Sequence, residues 1–238
     1  MAELQGEARR RYVGEMFARI APRYDLMNTP MTLGAHHRWR KTAARIATRG
    51  LRGAALDVAT GTGDLALALA RASGMERVVG LDLLPGMVAL ARKKALARGL
   101  AGRVGFLVGD GLALPFPDGA FACVTSAWGL RNMPDPRASL EEMARVTAAG
   151  GRVVSLESVP VRGSPLGPFF RLYFHQVVPL LGQVIAGDRE AYTYLPRSVD
   201  GFLPAERLAG LFQEVGLADV GYRRLGLGAV AIHWGTRK

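Results

Sequence analysis

The run Ala54-Ala55-Leu56-Asp57-Val58-Ala59-Thr60-Gly61-Thr62-Gly63-Asp64 constrains the fold more than any other stretch of the chain. Its apolar start, residues 54–58, has the length and composition of a buried strand. Gly61 and Gly63 then force a tight turn before the helical run of residues 65–71. Strand, glycine turn and helix in that order make a nucleotide-binding crossover. Gly61, Gly63 and Ala66 also fit the fingerprint that brings a pyrophosphate onto a helix N-terminus. The acids around them argue otherwise. Asp57 ends the strand, and Asp64 falls in the first helical turn, where a carboxylate suits the helix dipole but repels a pyrophosphate. A cationic ligand is favoured, and S-adenosylmethionine carries an ammonium, a sulfonium and no phosphate. It also needs the close backbone approach that Gly61 and Gly63 permit.

Downstream, strands are predicted at residues 77–82, 104–108, 121–127 and 153–157, with helices at 84–99 and 136–147. Alternation of this kind implies an α/β fold with a mostly parallel, doubly wound sheet that binds ligands at the carboxyl ends of its strands. Chemistry-bearing residues do follow the strands: Asp82 with Leu83 after the second, Asp110 and Gly111 after the third, and Trp128 to Asn132 after the fourth. Asp82 stands about 20 residues beyond the glycine turn, where an acid accepts hydrogen bonds from both ribose hydroxyls. Asp110 is suitably placed to accept one from an adenine amino group.

The flanks differ in character. Residues 6–20 put Tyr12, Val13, Met16, Phe17 and Ile20 at the spacing of one helix face, and Pro22 stops the run. Residues 24–32 show no period and are expected as a loop, before a helix over 34–48 that carries His36, His37 and Trp39. Adjacent histidines point to different sides of a helix, so no metal site is expected. Residues 159–198 break the alternation: Pro160, Pro165, Pro168 and Pro179 divide an apolar, aromatic stretch. A helical lid inserted after the fifth strand is expected, its apolar face lining a greasy pocket or lying on a bilayer. A helix over 204–215 and strands at 219–225 and 229–234 complete the chain.

Composition bounds the partners. A net charge of +11 favours anionic ones, yet the charge is spread along the whole chain. No basic run is interleaved with aromatics, so no nucleic acid partner is expected. The single cysteine, Cys123, cannot close an internal disulfide and is expected in the core of a protein from a reducing compartment. No apolar h-region opens the sequence and no apolar run reaches the roughly 18 to 20 residues that span a bilayer. A cytoplasmic location follows, with contact to an anionic membrane surface left open.

Asp57 to Asp64, with Asp82, Asp110 and the Pro115-Phe116-Pro117-Asp118 loop, resembles the class I S-adenosylmethionine-dependent methyltransferases. Three further stretches narrow the resemblance: Tyr24-Asp25 with Met27-Asn28, His36 and Trp39; Gly129-Leu130-Arg131-Asn132; and Tyr192, Tyr194-Leu195 and Ser198. Together they resemble the ubiquinone and menaquinone biosynthesis C-methyltransferases, over nearly the whole chain.

That resemblance implies a seven-stranded, Rossmann-like domain with a helical cap (residues 1–50), a cofactor core (54–158), a lid (159–200) and a C-terminal helix with strands (201–238). It implies methyl transfer from S-adenosylmethionine, leaving S-adenosylhomocysteine, to a ring carbon of an isoprenoid quinol. Reduced demethylmenaquinone is the preferred acceptor, with a ubiquinone-pathway or other lipid quinol as the alternative, and a homodimer is compatible with it. Asp57, Thr60, Gly61, Thr62 and Gly63 are expected at the cofactor, with Asp82, Leu83, Asp110, Gly111 and Ala127. Tyr24, Asn28, His36, Trp128, His175, Tyr192 and Tyr194 are expected at the acceptor. Arg131 is expected to stabilise a quinolate and Asn132 to orient the other hydroxyl.

The sequence departs from the family pattern at three places. Thr32 replaces a serine and keeps the hydroxyl, Ala148-Ala149-Gly150-Gly151 replaces Lys-Pro-Gly-Gly, and Ala127 stands where relatives often place a serine near the cofactor. Ser126 cannot replace that serine, because adjacent strand residues face opposite ways.

Overall fold

The computed structural model describes residues 6–161 and 167–238. Residues 1–5 and 162–166, among them Pro165, lie outside the described residues. Largely apolar runs form the centre of the sheet, because a parallel strand covered on both faces buries nearly every side chain. Strand β1 (Gly53–Val58) pairs in parallel with β2 (Met75–Asp82) on one side and β4 (Phe121–Ala127) on the other, and Leu56 stands opposite Val79 and Val124. With β3 (Val104–Val108), β5 (Thr147–Ser158), β6 (Leu217–Leu225) and β7 (Val230–Arg237), the sheet runs β3-β2-β1-β4-β5-β7-β6. Only β7 opposes its neighbours, pairing antiparallel with both β5 and β6.

Alternate strand residues feed two apolar layers. Ala55, Val78, Cys123 and Val154 pack with helices α3 (Ala35–Thr48), α4 (Asp64–Ala70) and α5 (Pro85–Ala97). Leu56, Leu81, Val124 and Val153 pack with α6 (Pro136–Val146) and α10 (Ala205–Glu214). Cys123 is fully buried with Sγ 3.8 Å from Met75 Sδ, and burial pushes its thiol up to about 12. It is a core residue.

A third cluster joins cap to lid. Met16 and Ile20 of α1 (Gly6–Ile20) and Met27 of α2 (Tyr24–Thr32) pack with Val178, Ala191 and Tyr192. The lid comprises α7 (Gly167–Leu172), α8 (Val178–Leu181) and α9 (Arg189–Asp200). Wide π-type turns at Tyr173–Val177 and Gly182–Ala186 flank α8, whose Pro179 lacks an amide to continue a regular ladder. Asp188 caps α9, its side chain accepting from the Ala191 amide at 2.9 Å.

Two local expectations are revised. Residues 24–32 form a helix, not a loop: Met27 and Asn28 are buried, Thr32 Oγ1 donates to the Asn28 carbonyl at 2.7 Å, and left-handed Leu33 and Gly34 end the run. Pro30 hides the helix from periodicity. The fifth strand begins earlier than expected. Phe121 pairs with Thr147 and Cys123 with Arg152, so residues 148–151 bulge out of register between them.

Candidate active site

The turn after β1 is built from beneath by Asp57, which is buried. Its Oδ2 accepts from Thr60 Oγ1 and its Oδ1 from Thr125 Oγ1, both at 2.7 Å. Burial pushes the carboxyl up to about 6 against those hydrogen bonds. The two glycines serve different needs. Gly61 has φ +56 and nothing within 4 Å of where a Cβ would stand, so its backbone opens onto the cleft. At Gly63, φ +84, a Cβ would meet the Phe106 ring at 2.9 Å. Asp82 braces the turn from β2, accepting from the Gly61 amide at 2.8 Å and the Leu84 amide at 3.0 Å. Asp110 accepts from the Leu112 amide at 3.0 Å and pairs with Arg10 of α1 at 2.9 Å. Together Gly61, Asp82, Leu83, Asp110, Gly111 and Ala127 line a cleft of ≈ 860 Å³ of empty space, mouth included. Ala127 faces this cleft, whereas Ser126 is fully buried and does not line it.

Thr60, Thr62 and Asp57 line a small adjoining recess with Asp64 and Arg40. Asp64 does not act there as a free negative charge. Burial raises its pKa, but Arg40 (3.3 Å), Lys94 (3.0 Å) and Arg98 (3.3 Å) outweigh that and hold the carboxyl below its usual range. The three cations neutralise the charge that the sequence reading set against a pyrophosphate. Thr62 Oγ1 donates to Asp25 of α2 at 2.7 Å, and Lys94 bridges Asp25 and Asp64. The cap is thereby tied to the glycine turn.

A second cavity, ≈ 990 Å³ with its mouth, opens between cap, lid and the ends of β4, β5 and β7. It shares Phe17, Tyr24 and Trp128 with the cleft edged by Asp82 and Asp110. Its walls are aromatic and aliphatic, including Met31, Trp39, Phe170, Tyr173 and Phe174, with few polar groups. Asn28 Nδ2 and the Tyr192 hydroxyl are buried there without hydrogen-bond partners among the described residues. His36, nearly fully buried, and Tyr194 line it too.

Arg131 and Asn132 share one 3₁₀ turn, Leu130–Asn132. Arg131 lines the apolar cavity and donates to Glu157 Oε2 at 2.9 Å and the Trp128 carbonyl at 3.1 Å. Glu157 is fully buried and also accepts from the Leu130 amide at 2.8 Å. Burial raises its pKa against the pull of Arg131. Asn132 lines the cleft edged by Asp82 and Asp110 instead; its Nδ2 donates to the Trp128 carbonyl at 3.0 Å, and its Oδ1 accepts from Tyr194 at 3.3 Å. Trp128 has φ +57, a strained backbone for a bulky residue, held in place by these bonds and by its amide donating to Leu156. The Arg40 guanidinium sits 4.8 Å from the Trp128 ring centre.

The structure thus gathers most of the expected residues around two joined cavities; Asp57, Thr60 and Thr62 line the recess beside them, and Gly63 packs on Phe106 at the turn. His175 lies apart from all of them. It pairs with Asp200 at 2.9 Å and lines a separate recess with Pro160, Val161 and Phe170. Sequence reasoning missed Arg10, Asp25, Arg40, Lys94 and Glu157. Asp25 stood in the Tyr24-Asp25 stretch that carries the resemblance, with no role assigned to it, and nothing local marked the other four. Among the described residues, no group of three His, Cys, Asp or Glu side chains could hold a metal ion, and no helix is long and apolar enough to cross a membrane.

The same architecture occurs in the cyclase SpnF, with a TM-score of 0.73 at 19% identity over 98% of each chain. It also occurs in a SAM-dependent methyltransferase from Thermotoga maritima, with a TM-score of 0.66 at 18% identity, over 95% of this chain and all of that one. These likenesses speak to the fold. In sequence, the chain is 50% identical to a demethylmenaquinone methyltransferase of Thermus thermophilus over 93% of its length and all of the relative's. It is 45% identical to a protein of the same name from Deinococcus radiodurans, over 95% and 92% of the two chains. Identity is 41% to the ubiquinone/menaquinone biosynthesis C-methyltransferase of Desulfotalea psychrophila, over 94% and 90%. Residues 5–237 match the family as a whole, and the chain belongs to the ubiE/COQ5 methyltransferase family.

Proposed function

We propose that the chain methylates a ring carbon of reduced demethylmenaquinone with S-adenosylmethionine as donor. The observation that carries this reading is the junction of the two cavities: a cleft edged by Asp82 and Asp110 meets an apolar, aromatic one at Phe17, Tyr24 and Trp128. The relatives named as demethylmenaquinone methyltransferases support the choice of acceptor.

The cofactor-side residues fit S-adenosylmethionine. The space over Gly61 is open, and Asp82 and Asp110 each keep lone pairs beyond their backbone bonds. Asp82 would accept from the ribose hydroxyls and Asp110 from the adenine amine, while the open backbone at Gly61 admits the donor's close approach. When bound, the donor supplies an electrophilic methyl group on a positive sulfur.

Activation falls on the acceptor, whose ring carbon becomes nucleophilic once the neighbouring hydroxyl loses its proton. The Arg131 guanidinium has only donors, so it favours the quinolate without accepting the proton; that proton, and the ring hydrogen that the methyl group replaces, leave to water at the cavity mouth. Asn28 and Tyr192 offer buried, unpartnered polar atoms to the ring oxygens. The apolar walls exclude water and hold the ring near the about 3 to 3.5 Å separation at which transfer proceeds.

The exposed apolar side chains Leu172, Leu180 and Val184 on the lid, with the net charge of +11, support peripheral contact with an anionic membrane surface, which would deliver the acceptor. Calorimetry paired with turnover tests the whole reading. Tight binding of S-adenosylhomocysteine, no heat with a nicotinamide dinucleotide, and faster turnover of reduced demethylmenaquinone than of reduced benzoquinones are expected. Preference for the benzoquinones would reassign the acceptor.

A further inference from the structure

Arg40 is buried on α3 one turn beyond His36, and its Nη1 reaches two partners. One is Nδ1 of His36; the other is Asp64 Oδ2, at 3.3 Å. A guanidinium has only donors, so the histidine nitrogen facing it must be the bare one, and a neutral ring must then carry its proton on Nε2. Among the described residues, that nitrogen's hydrogen-bond contact is with Thr29 Oγ1 at 3.4 Å, long for a hydrogen bond, and the ring lines the apolar cavity.

We propose that Arg40 locks His36 as the neutral Nε2–H tautomer and that this N–H donates to a ring oxygen of the acceptor. The proposal rests on the quinol reading above. It gives His36 a contact with substrate as a hydrogen-bond donor, and it denies the residue the role of base. A base would need a bare nitrogen turned to the quinol hydroxyl, and the bare nitrogen is the one held by Arg40.

The surroundings keep the ring neutral. Burial lowers its pKa to about 4, aided by Arg40 and His37 of its own helix and opposed by Asp64 of α4 and Asp25 of α2. Because Asp64 opens the helix behind the glycine turn, one guanidinium fixes the ring relative to the cofactor cleft and caps the Trp128 face as well. A donor aimed at a phenolic oxygen favours its ionised form and sets the angle at which the neighbouring carbon meets the methyl group.

Long-range proton–nitrogen NMR of the ¹⁵N-labelled protein reads the tautomer directly, with His36→Gln identifying the His36 signals. A protonated Nε2 and a bare Nδ1, unchanged between about pH 6 and 9, are expected. Turnover separates donor from filler, because a Gln amide nitrogen reaches the place of Nε2 and an Asn amide the place of Nδ1. His36→Asn and His36→Leu should lose about 10- to 30-fold in kcat/KM for the quinol with unchanged S-adenosylhomocysteine affinity, and His36→Gln should recover most of it. A bare Nε2, or rescue by Asn where Gln fails, overturns the proposal. A wild type that methylates no quinol removes the functional reading and the donor role with it, while the spectrum still decides the Arg40–His36 tautomer.

Discussion

The Arg131 guanidinium and the Glu157 carboxylate form a buried pair, Nη1 to Oε2 2.9 Å, in which the acid is fully enclosed and the arginine edge lines the apolar cavity. Truncating either partner strands the other in a medium that solvates it poorly. Arg131→Ala should lose at least about 100-fold in kcat while still binding S-adenosylhomocysteine, because Arg131 lines the apolar cavity and not the cleft edged by Asp82 and Asp110. It should also be less stable by about 3 to 5 kcal/mol, the usual cost of an orphaned buried charge. Stopped-turnover assays beside denaturant melts check both; full activity in the variant removes Arg131 from the chemistry.

Asp82 holds the Gly61 amide with one oxygen and the Leu84 amide with the other. Asp82→Asn keeps the shape but loses the charge, and one of its two positions becomes a donor facing an amide. S-adenosylhomocysteine affinity by calorimetry should fall by about 10- to 100-fold, in line with hydrogen bonds to a charged group. An unchanged affinity would remove Asp82 from the ribose site.

Asp25 ties α2 to Thr62 and Lys94. Its side chain is 43% exposed, so Asp25→Ala should cost only about 1 kcal/mol of global stability. The local effect should be larger. Amide exchange across α1 and α2 should quicken, with a severalfold rise in KM for S-adenosylmethionine, because the cap no longer braces the glycine turn. Unaltered exchange in the cap would show that the latch is redundant.

Burial raises Asp57 to about 6, so between its unfolded value of 3.8 and that point the native state holds a proton that the unfolded chain has released. The stability this carboxyl contributes is fully present below about pH 4 and is lost as pH rises through 6, by about 3 kcal/mol at most. His36 and His233, each lowered to about 4 by burial, act with the opposite sign. They are common to wild type and Asp57→Asn and cancel in the comparison. Unfolding free energies measured across that range should show the wild type losing ground to the variant as pH rises from 4 to 6, then a constant difference above about pH 7. A constant difference throughout would place the Asp57 pKa at its ordinary value.

The central crossover was legible because local signals agreed there: Leu56 and Val58 mark a strand, Gly61 and Gly63 a turn, and the next apolar run a helix. Asp82 and Asp110 followed from position alone, since strand ends in such a sheet face the ligand. Helix α2 was hidden because Pro30 and its polar residues erase the period, and its burial depends on the lid folding over it. Arg40 was hidden for another reason. It is one basic residue among 31, and nothing local distinguishes an arginine that reaches Asp64 and Trp128 from one in solvent. His175 shows the converse: its aromatic neighbours suggested a pocket, but the helix turns its ring toward Asp200.

Purified protein incubated with methyl-labelled S-adenosylmethionine and reduced demethylmenaquinone, followed by extraction of the quinone, tests the joined cavities most directly. Label on the naphthoquinone ring, absent without reductant and lost in Arg131→Ala, is the expected result. Label that stays in the aqueous phase with every quinol offered would contradict transfer across Phe17, Tyr24 and Trp128.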